Sequence, residues 1–348
     1  MRTDALDYDL PAELIAQHPA APRDAARLMV VERANGAIRH AIVRELPALL
    51  NAGDALVVND SRVLPARFFL RRRTGGRVGG LFLRELAPGR WAVLLAGGGR
   101  LGERETLAFE RGQAEATVVA RLGRGEFELG IEPARPAATM LDAIGVAPLP
   151  PYIRRSADAS RSEGLRDRFD YQTVYAREPG SAAAPTAGLH FTPELLAALG
   201  GSGVTVAAVT LHVGLGTFQP IEVEDLADHA MHVERYEVSA ATAAAIAAAR
   251  RGGGRVVAVG TTAARVIEST AGADGVPRAG AGETSILIQP PYRWRGVDCL
   301  MTNFHLPRST LLALVYAFGG MELMRAAYAT AIGERYRFYS FGDAMLIV

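Results

Sequence analysis

Apolar and polar residues change their period twice along this chain. The first 26 residues are proline-rich and irregular, with one short helical pattern at Pro11 to Ala16. Leu28 to Glu32 and Ile38 to Val43 then flank Asn35-Gly36, a dipeptide suited to a tight hairpin turn. A short helix is expected around Glu45 to Leu50. Ala55-Leu56-Val57-Val58 is a continuous apolar run, read as a buried strand, and it ends in polar Asn59-Asp60-Ser61-Arg62. Polar residues at the carboxyl end of such a strand are where α/β folds place ligands.

Between about Arg67 and Ala147 helical periodicity disappears. Strand-like runs at Arg67 to Leu70, Val78 to Leu83, Trp91 to Leu95, Ala116 to Arg121 and Glu126 to Leu129 are separated by glycine-rich turns. This texture predicts a small β-barrel or sandwich. Pro148-Leu149-Pro150-Pro151-Tyr152-Ile153 marks the return, and an arginine-rich polar stretch runs to Asp170. The expected architecture is an α/β main domain with an inserted small β-barrel domain: residues 1–66 and 148–348 form the first, 67–147 the second. A chain of 348 residues exceeds what one core usually supports, which agrees with two domains.

Beyond the insert, Tyr171 to Tyr175 alternates like a strand. Pro185-Thr186-Ala187-Gly188-Leu189-His190-Phe191-Thr192-Pro193 reads as a loop delivering His190 to a helix start, with Thr192 as cap and Pro193 at the first helical position. That place suits an anionic or electron-rich ligand; a packed turn whose histidine bonds the backbone is the competing reading. Val204 to Val213 is a long apolar strand ending in His212-Val213-Gly214-Leu215-Gly216-Thr217. The two glycines resemble part of a dinucleotide loop, but the third glycine and the following helix are missing. Ser239 caps an alanine-rich helix that ends at Arg250-Arg251. Arg255 to Val259 is a buried strand turning at Gly260-Thr261-Thr262 into a helix, and the hydroxyls and N–H groups of such a turn suit a carboxylate or a ribose. Thr284 to Gln289, Tyr336 to Tyr339 and Met345 to Val348 complete the strand candidates. Ser309 is expected to cap a helix through Phe318.

Composition narrows the function. An apolar fraction of 49% and a charged fraction of 22% are those of a globular protein. The net charge of +1 gives no global pull toward nucleic acid. Every basic residue is arginine, and compositional bias of the source accounts for it. The single cysteine, Cys299, fits a reducing compartment. Asp4, Asp7 and Asp9 argue against a signal peptide, and the apolar run near Leu311 to Phe318 is far short of the ~20 residues of a span. A cytoplasmic protein without membrane contact is expected. Between Ser61 and Glu85 stand Arg62, Arg67, Arg71, Arg72, Arg73, Arg77 and Arg84 with no acid, either a local RNA-backbone patch or an ordinary solvated face.

Five of the seven histidines, His190, His212, His229, His232 and His305, lie in strand-end or loop runs. His229 and His232 would share a helical face, but no cysteine or Glu-x-x-His partner stands nearby, so no metal site is assigned. Asn303 and His305 follow the strand candidate Leu300-Met301-Thr302. The residues alone support an α/β enzyme site on one sheet edge, and no more.

The runs Pro185–Phe191 (PTAGLHF), Val209–Pro220 (VTLHVGLGTFQP), Asp228–Val238 (DHAMHVERYEV), Val256–Ser269 (VVAVGTTAARVIES), Thr302–Gly320 and Tyr336–Ile347, with Asp7–Pro19, Leu56–Arg67 and Pro148–Ile153 before them, resemble the S-adenosylmethionine:tRNA ribosyltransferase-isomerases of queuosine biosynthesis. The likeness covers nearly the whole chain in order. It departs at Pro291, where a glycine is expected, and at residues 154–169, which are longer than usual. The resemblance implies transfer of the ribosyl portion of S-adenosylmethionine to 7-aminomethyl-7-deazaguanine at the tRNA wobble position. The ribose rearranges, giving epoxyqueuosine, adenine and methionine. It implies an α/β domain with an inserted barrel, a monomer, and S-adenosylmethionine as co-substrate with no cofactor.

The sulfonium acidifies the ribose 5′ protons, which calls for a base, and adenine leaves more easily with a proton supplied. Histidine suits both roles. His190, His212 and His305 are the catalytic candidates, expected at one pocket. Asn59, Asp60, Arg62, Arg67, Thr186, Gly188, Gly214, Gly216, Thr217, His229, His232, Gly260, Thr261, Thr262 and Asn303 are the substrate-binding candidates. Arg62 and Arg67 are expected to face a cleft between barrel and α/β domain. Tyr152, Tyr171 and Tyr292 are candidates for stacking on an unpaired base.

Overall fold

The computed structural model describes residues 1–97, 101–123, 125–155, 161–214 and 221–348, and the side chains of 161–163 are outside the description. Two compact units emerge: Met1–Arg62 with Pro150–Arg154 and Gln172–Val348, and Val63–Leu149 with Arg155–Tyr171. The described residues of the stretch 155–171, assigned from sequence to the α/β domain, thus group with the barrel, and part of that stretch is the helix Arg161–Asp170.

The first unit is built on a nine-stranded sheet. In spatial order its strands are Gly280–Thr284, Glu234–Val238, Thr205–Leu211, Ala55–Asn59, Val256–Val259, Cys299–Asn303, Ala344–Ile347, Arg27–Val31 and Ile38–Ile42. The run from Thr205–Leu211 to Cys299–Asn303 is parallel throughout. Ala344–Ile347 is antiparallel to Cys299–Asn303 and parallel to Arg27–Val31. Parallel strands buried on both faces require unbroken apolar runs, and Ala55–Asn59, Val256–Val259 and Cys299–Asn303 are buried at every position. Alternate residues feed different cores. Ala55 and Val57 belong to the core shared with helices Ala240–Arg251, Gly260–Thr270, Thr310–Gly319 and Met321–Gly333, whereas Leu56 and Val58 belong to the one shared with Phe191 and with Leu195 and Leu199 of helix Pro193–Gly201. Thr192, Ser239 and Ser309 cap their helices as expected, each accepting from the backbone N–H three residues on.

Four local expectations are corrected. Tyr171–Tyr175 alternates like a strand but is a turn, in which the Ala176 N–H donates to the Thr173 carbonyl at 3.3 Å. Thr284–Gln289 is not a strand: the Thr284 hydroxyl accepts the Ile286 N–H at 3.2 Å, and the strand lies upstream, at Gly280–Thr284. Around Tyr336–Tyr339 only Phe338 makes a bridge, because the Asp343 carboxylate takes the Arg337 N–H at 2.8 Å. Pro11–Ala16 shortens to one 3-10 turn, Ala12–Leu14.

The second unit contains a closed barrel with strand order Glu126–Glu132, Arg90–Ala96, Arg77–Ala87, Arg67–Arg72, Thr106–Phe109, Glu115–Gly123. Closure settles the choice between barrel and sandwich. Phe68, Trp91 and Phe109 fill the interior with Leu141 and Ile144 of helix Ala137–Ile144. Gly80 makes room for the Phe68 ring, since a Cβ there would lie 2.1 Å from it. The arginine run is acid-free only in sequence. Neighbouring barrel segments bring Glu110 to Arg71 (3.0 Å) and Arg77 (3.1 Å), Glu105 to Arg72 (2.6 Å) and Glu126 to Arg84 (3.1 Å).

Candidate active site at the strand ends of the first unit

The four parallel strands end side by side on one edge. Thr205–Leu211 leads into His212 and Gly214, Ala55–Asn59 into Asp60 and Ser61, Val256–Val259 into Gly260, Thr261 and Thr262, and Cys299–Asn303 into His305. Three inter-strand intervals separate the first strand from the last, roughly 14–15 Å. His212 and His305 therefore stand at opposite ends of a row. The 3-10 turn Thr186–His190 brings His190 to this edge, where its Nε2 lies 3.3 Å from Nδ2 of Asn303.

Asn303 fixes the state of His190. Its Nδ2 also points at the carbonyls of Tyr339 (3.1 Å) and Asp343 (3.4 Å), so it must be the amide nitrogen. With one amide N–H turned to Nε2 and the other shared between the two carbonyls, Nε2 is an acceptor and the ring proton is left on Nδ1. Burial, against the opposing pull of Asp343, pushes the His190 pKa down to about 4. His305 is pushed down to about 3 by burial alone. Its Nε2 lies 2.7 Å from the Thr302 hydroxyl, its N–H donates to the Tyr328 oxygen at 3.0 Å, and its carbonyl accepts from Tyr8. His212 is only half-buried; burial lowers its pKa while Glu178 and Asp60 pull the other way. Its Nδ1 is buried without a hydrogen-bond partner among the described residues. All three rings are neutral near pH 7, and the His212 Nδ1 lies against Gly180, where a Cβ would come within 3.0 Å of it.

Asn59 and Asp60 tie the edge together. Asn59 donates to the Leu211 carbonyl and accepts from the Leu211 and Ser61 N–H groups, at 3.0–3.1 Å. The Asp60 carboxylate accepts from the Thr210 hydroxyl at 2.7 Å and from Arg177 at 2.8 Å. Four buried hydroxyls on these segments have no hydrogen-bond partner among the described residues: Ser61 Oγ, Thr173 Oγ1, Tyr175 OH and Thr262 Oγ1. Gly188 lets the tyrosine in, since a Cβ there would lie 2.0 Å from the Tyr175 oxygen. Gly260, at φ +86°, packs on Ala187 and opens helix Gly260–Thr270, whose first turn has no side-chain cap. Uncapped N–H groups and buried hydroxyls suit a polar, electron-rich small molecule.

The other candidates fall elsewhere. His229 and His232 lie in irregular backbone after the turn Leu226–Asp228, His232 exposed. No group of three or more His, Cys, Asp or Glu among the described residues could hold a metal ion. Gly216 and Thr217 lie outside the described residues. Thr186 is partly buried, and Arg62 and Arg67 are exposed, the latter 5.5 Å from the Phe69 ring. Tyr152 bonds Ser340 (2.6 Å), Tyr292 bonds Glu268 (3.1 Å), and Tyr171 is fully buried. Tyr175, Thr173 and Arg265 were not singled out from sequence. Arg265 had a signal: a charge flanked by Ala264 and Val266 in the apolar stretch of a helix.

Residues 3–347 match the queuosine biosynthesis protein family. The S-adenosylmethionine:tRNA ribosyltransferase-isomerase of Symbiobacterium thermophilum is 52% identical over the full length of both chains. That of Rhodospirillum rubrum is 53% identical, covering 100% of this chain and 98% of its own. The chain belongs to the S-adenosylmethionine:tRNA ribosyltransferase-isomerase family. It is a tRNA-modifying transferase of queuosine biosynthesis. A crystal structure of S-adenosylmethionine tRNA ribosyltransferase from Thermotoga maritima is similar in fold, with a TM-score of 0.56 and 36% identity over 99% of this chain and 100% of that one. Among the described residues no single helix is long and apolar enough to cross a membrane.

Proposed function

We propose that the row of strand ends holds S-adenosylmethionine, and that the chain moves its ribosyl group to 7-aminomethyl-7-deazaguanine at the wobble position of tRNA. The products are epoxyqueuosine-tRNA, adenine and methionine, and the enzyme acts as a monomer. The observation carrying this reading is the alignment of His212, Asp60, Thr262 and His305 on one edge about as long as an extended S-adenosylmethionine. The partnerless hydroxyls there match a ligand with a ribose, an amine and a carboxylate.

The substrate's sulfonium is the electron sink, so the protein supplies bases and position. A cation beside a histidine disfavours protonation, as burial does, so these rings stand in the neutral form that a base requires while being weaker bases than free imidazole. His212 takes the 5′ proton. His305, held by Thr302, faces the departing adenine. Substituting either with alanine lowers turnover by ~10²–10⁴; near wild-type rates for both would remove histidine from the mechanism. The decisive assay follows adenine release from S-adenosylmethionine with and without tRNA carrying the deazaguanine precursor. Release only with tRNA is expected. Release without it would make the chain a hydrolase, and none in either case would refute catalysis.

A further inference from the structure

Helix Gly260–Thr270 carries an arginine that the mechanism above does not use. Arg265 is 5% exposed, and its Nη1 lies 2.5 Å from Glu234 Oε2. Glu234 is also 5% exposed, and its other oxygen accepts the Gly214 N–H at 3.3 Å. The remaining edge of the guanidinium is different. Nε and Nη2 are both buried, and neither meets an acceptor among the described residues.

These two N–H groups point the same way and form the side-on fork that grips a carboxylate. The protein uses that fork repeatedly. Arg72 holds Glu105 through Nε (2.6 Å) and Nη2 (3.0 Å), and Arg255 holds Asp54 through Nε (3.1 Å) and Nη2 (2.7 Å). At Arg265 the same fork is buried and, among the described residues, no carboxylate fills the role. Side chains of a helix lean toward its N-terminus, so Arg265 leans back toward the carboxyl edge of the sheet. Glu234 ties it to Gly214, two residues beyond His212.

We infer that the Nε–Nη2 edge of Arg265 seats the α-carboxylate at the methionyl end of S-adenosylmethionine. Depth selects this ligand over a tRNA phosphate: the fork is buried on a side chain only 5% exposed, out of reach of the backbone of a folded RNA, and suits the terminal group of a small molecule. Product methionine carries the same carboxylate and uses the same seat. This orients the co-substrate, methionyl end beside His212 and Gly214, adenosyl portion toward Thr262 and Asn303. The inference rests on the proposed reaction.

The test is a chemical double-mutant cycle. Titration calorimetry measures S-adenosylmethionine and decarboxylated S-adenosylmethionine on the wild type, Arg265→Gln and Arg265→Lys. The wild type is expected to prefer the carboxylate-bearing ligand by roughly 10–100-fold. Arg265→Gln should reduce that preference to within about threefold while its affinity for the decarboxylated analogue stays as in the wild type. Arg265→Lys, charged but without a fork, should fall between. Equal affinities of the wild type for the two ligands overturn the inference, whether or not the variants fold. So does a loss in Arg265→Gln that is the same for both ligands. Failure of the underlying reaction is separate: it would appear as wild-type protein releasing no adenine with precursor tRNA.

Discussion

Acidification should weaken the first unit well before its carboxylates titrate. His190 and His305 have folded pKa values of about 4 and about 3, against 6.5 when unfolded. Between these limits the unfolded state binds more protons than the folded state, so stability rises with pH and is lost as pH falls below 6.5. At about pH 5 the cost per ring depends on the unfolded value alone, because both folded values lie below it. Roughly 1.5 pKa units at ~1.4 kcal/mol each give about 2 kcal/mol per histidine, about 4 for the pair. With a denaturant slope near 2–3 kcal/mol per molar, the urea midpoint should drop by roughly 1–2 M between pH 7.5 and 5. Asp54 stays out of this window. Burial opposes its charge, but Arg255 holds its pKa below 3.8, so its contribution disappears only at lower pH. The two tryptophans separate the units, Trp91 in the barrel and Trp294 in the α/β unit. In a Trp91→Phe background, fluorescence of Trp294 should report the shift, and His305→Gln should halve its proton dependence. A Trp294 midpoint unchanged down to pH 5 would refute the reasoning.

Gly188→Ala should destabilise by ~1–3 kcal/mol through overpacking on Tyr175 and lower the melting temperature. Because the nearest atom, at 2.0 Å, is the tyrosine oxygen, adding Tyr175→Phe should restore part of the loss. Asp54→Asn leaves Arg255 and two backbone donors facing a neutral amide, and should cost on the order of 3 kcal/mol by urea titration. Replacing Arg71 and Arg73 together with alanine should weaken tRNA binding, reduce its salt slope by about one to two units, and leave S-adenosylmethionine affinity unchanged. An unchanged slope would mark this barrel face as merely solvated.

The strand-end motifs were legible because a parallel strand buried on both faces is an unbroken apolar run, and the first polar residue after it marks the carboxyl edge. Asn59, His212, Gly260 and Asn303 were located this way. The barrel showed in its alternation, although Thr106–Phe109 was too short to register. Long-range partners were hidden. Nothing near Arg71 announces Glu110, and the Arg265–Glu234 pair joins a helix to a strand from a separate run. Tyr171–Tyr175 misled because alternation alone does not make a strand without a neighbour to pair with, and Gly280–Thr284 escaped because its glycines and alanine have little β preference. The row of histidines was foreseen as a point. The strand order, absent from the sequence pattern, spreads it along the edge.

The placement of Ala344–Ile347 has a kinetic meaning. This strand lies between Cys299–Asn303 and Arg27–Val31, with Leu28 registered on Ala344. The amino-terminal hairpin therefore joins the sheet through residues translated more than 300 positions later. Until they emerge, the hairpin has an open, apolar edge and Cys299–Asn303 has one unpaired side. Closing so long a loop is a slow event in a nascent chain. The sheet is completed only as translation reaches this strand, and Asn303, which pairs with Ala344 and faces His190, gains its final surroundings at that same moment.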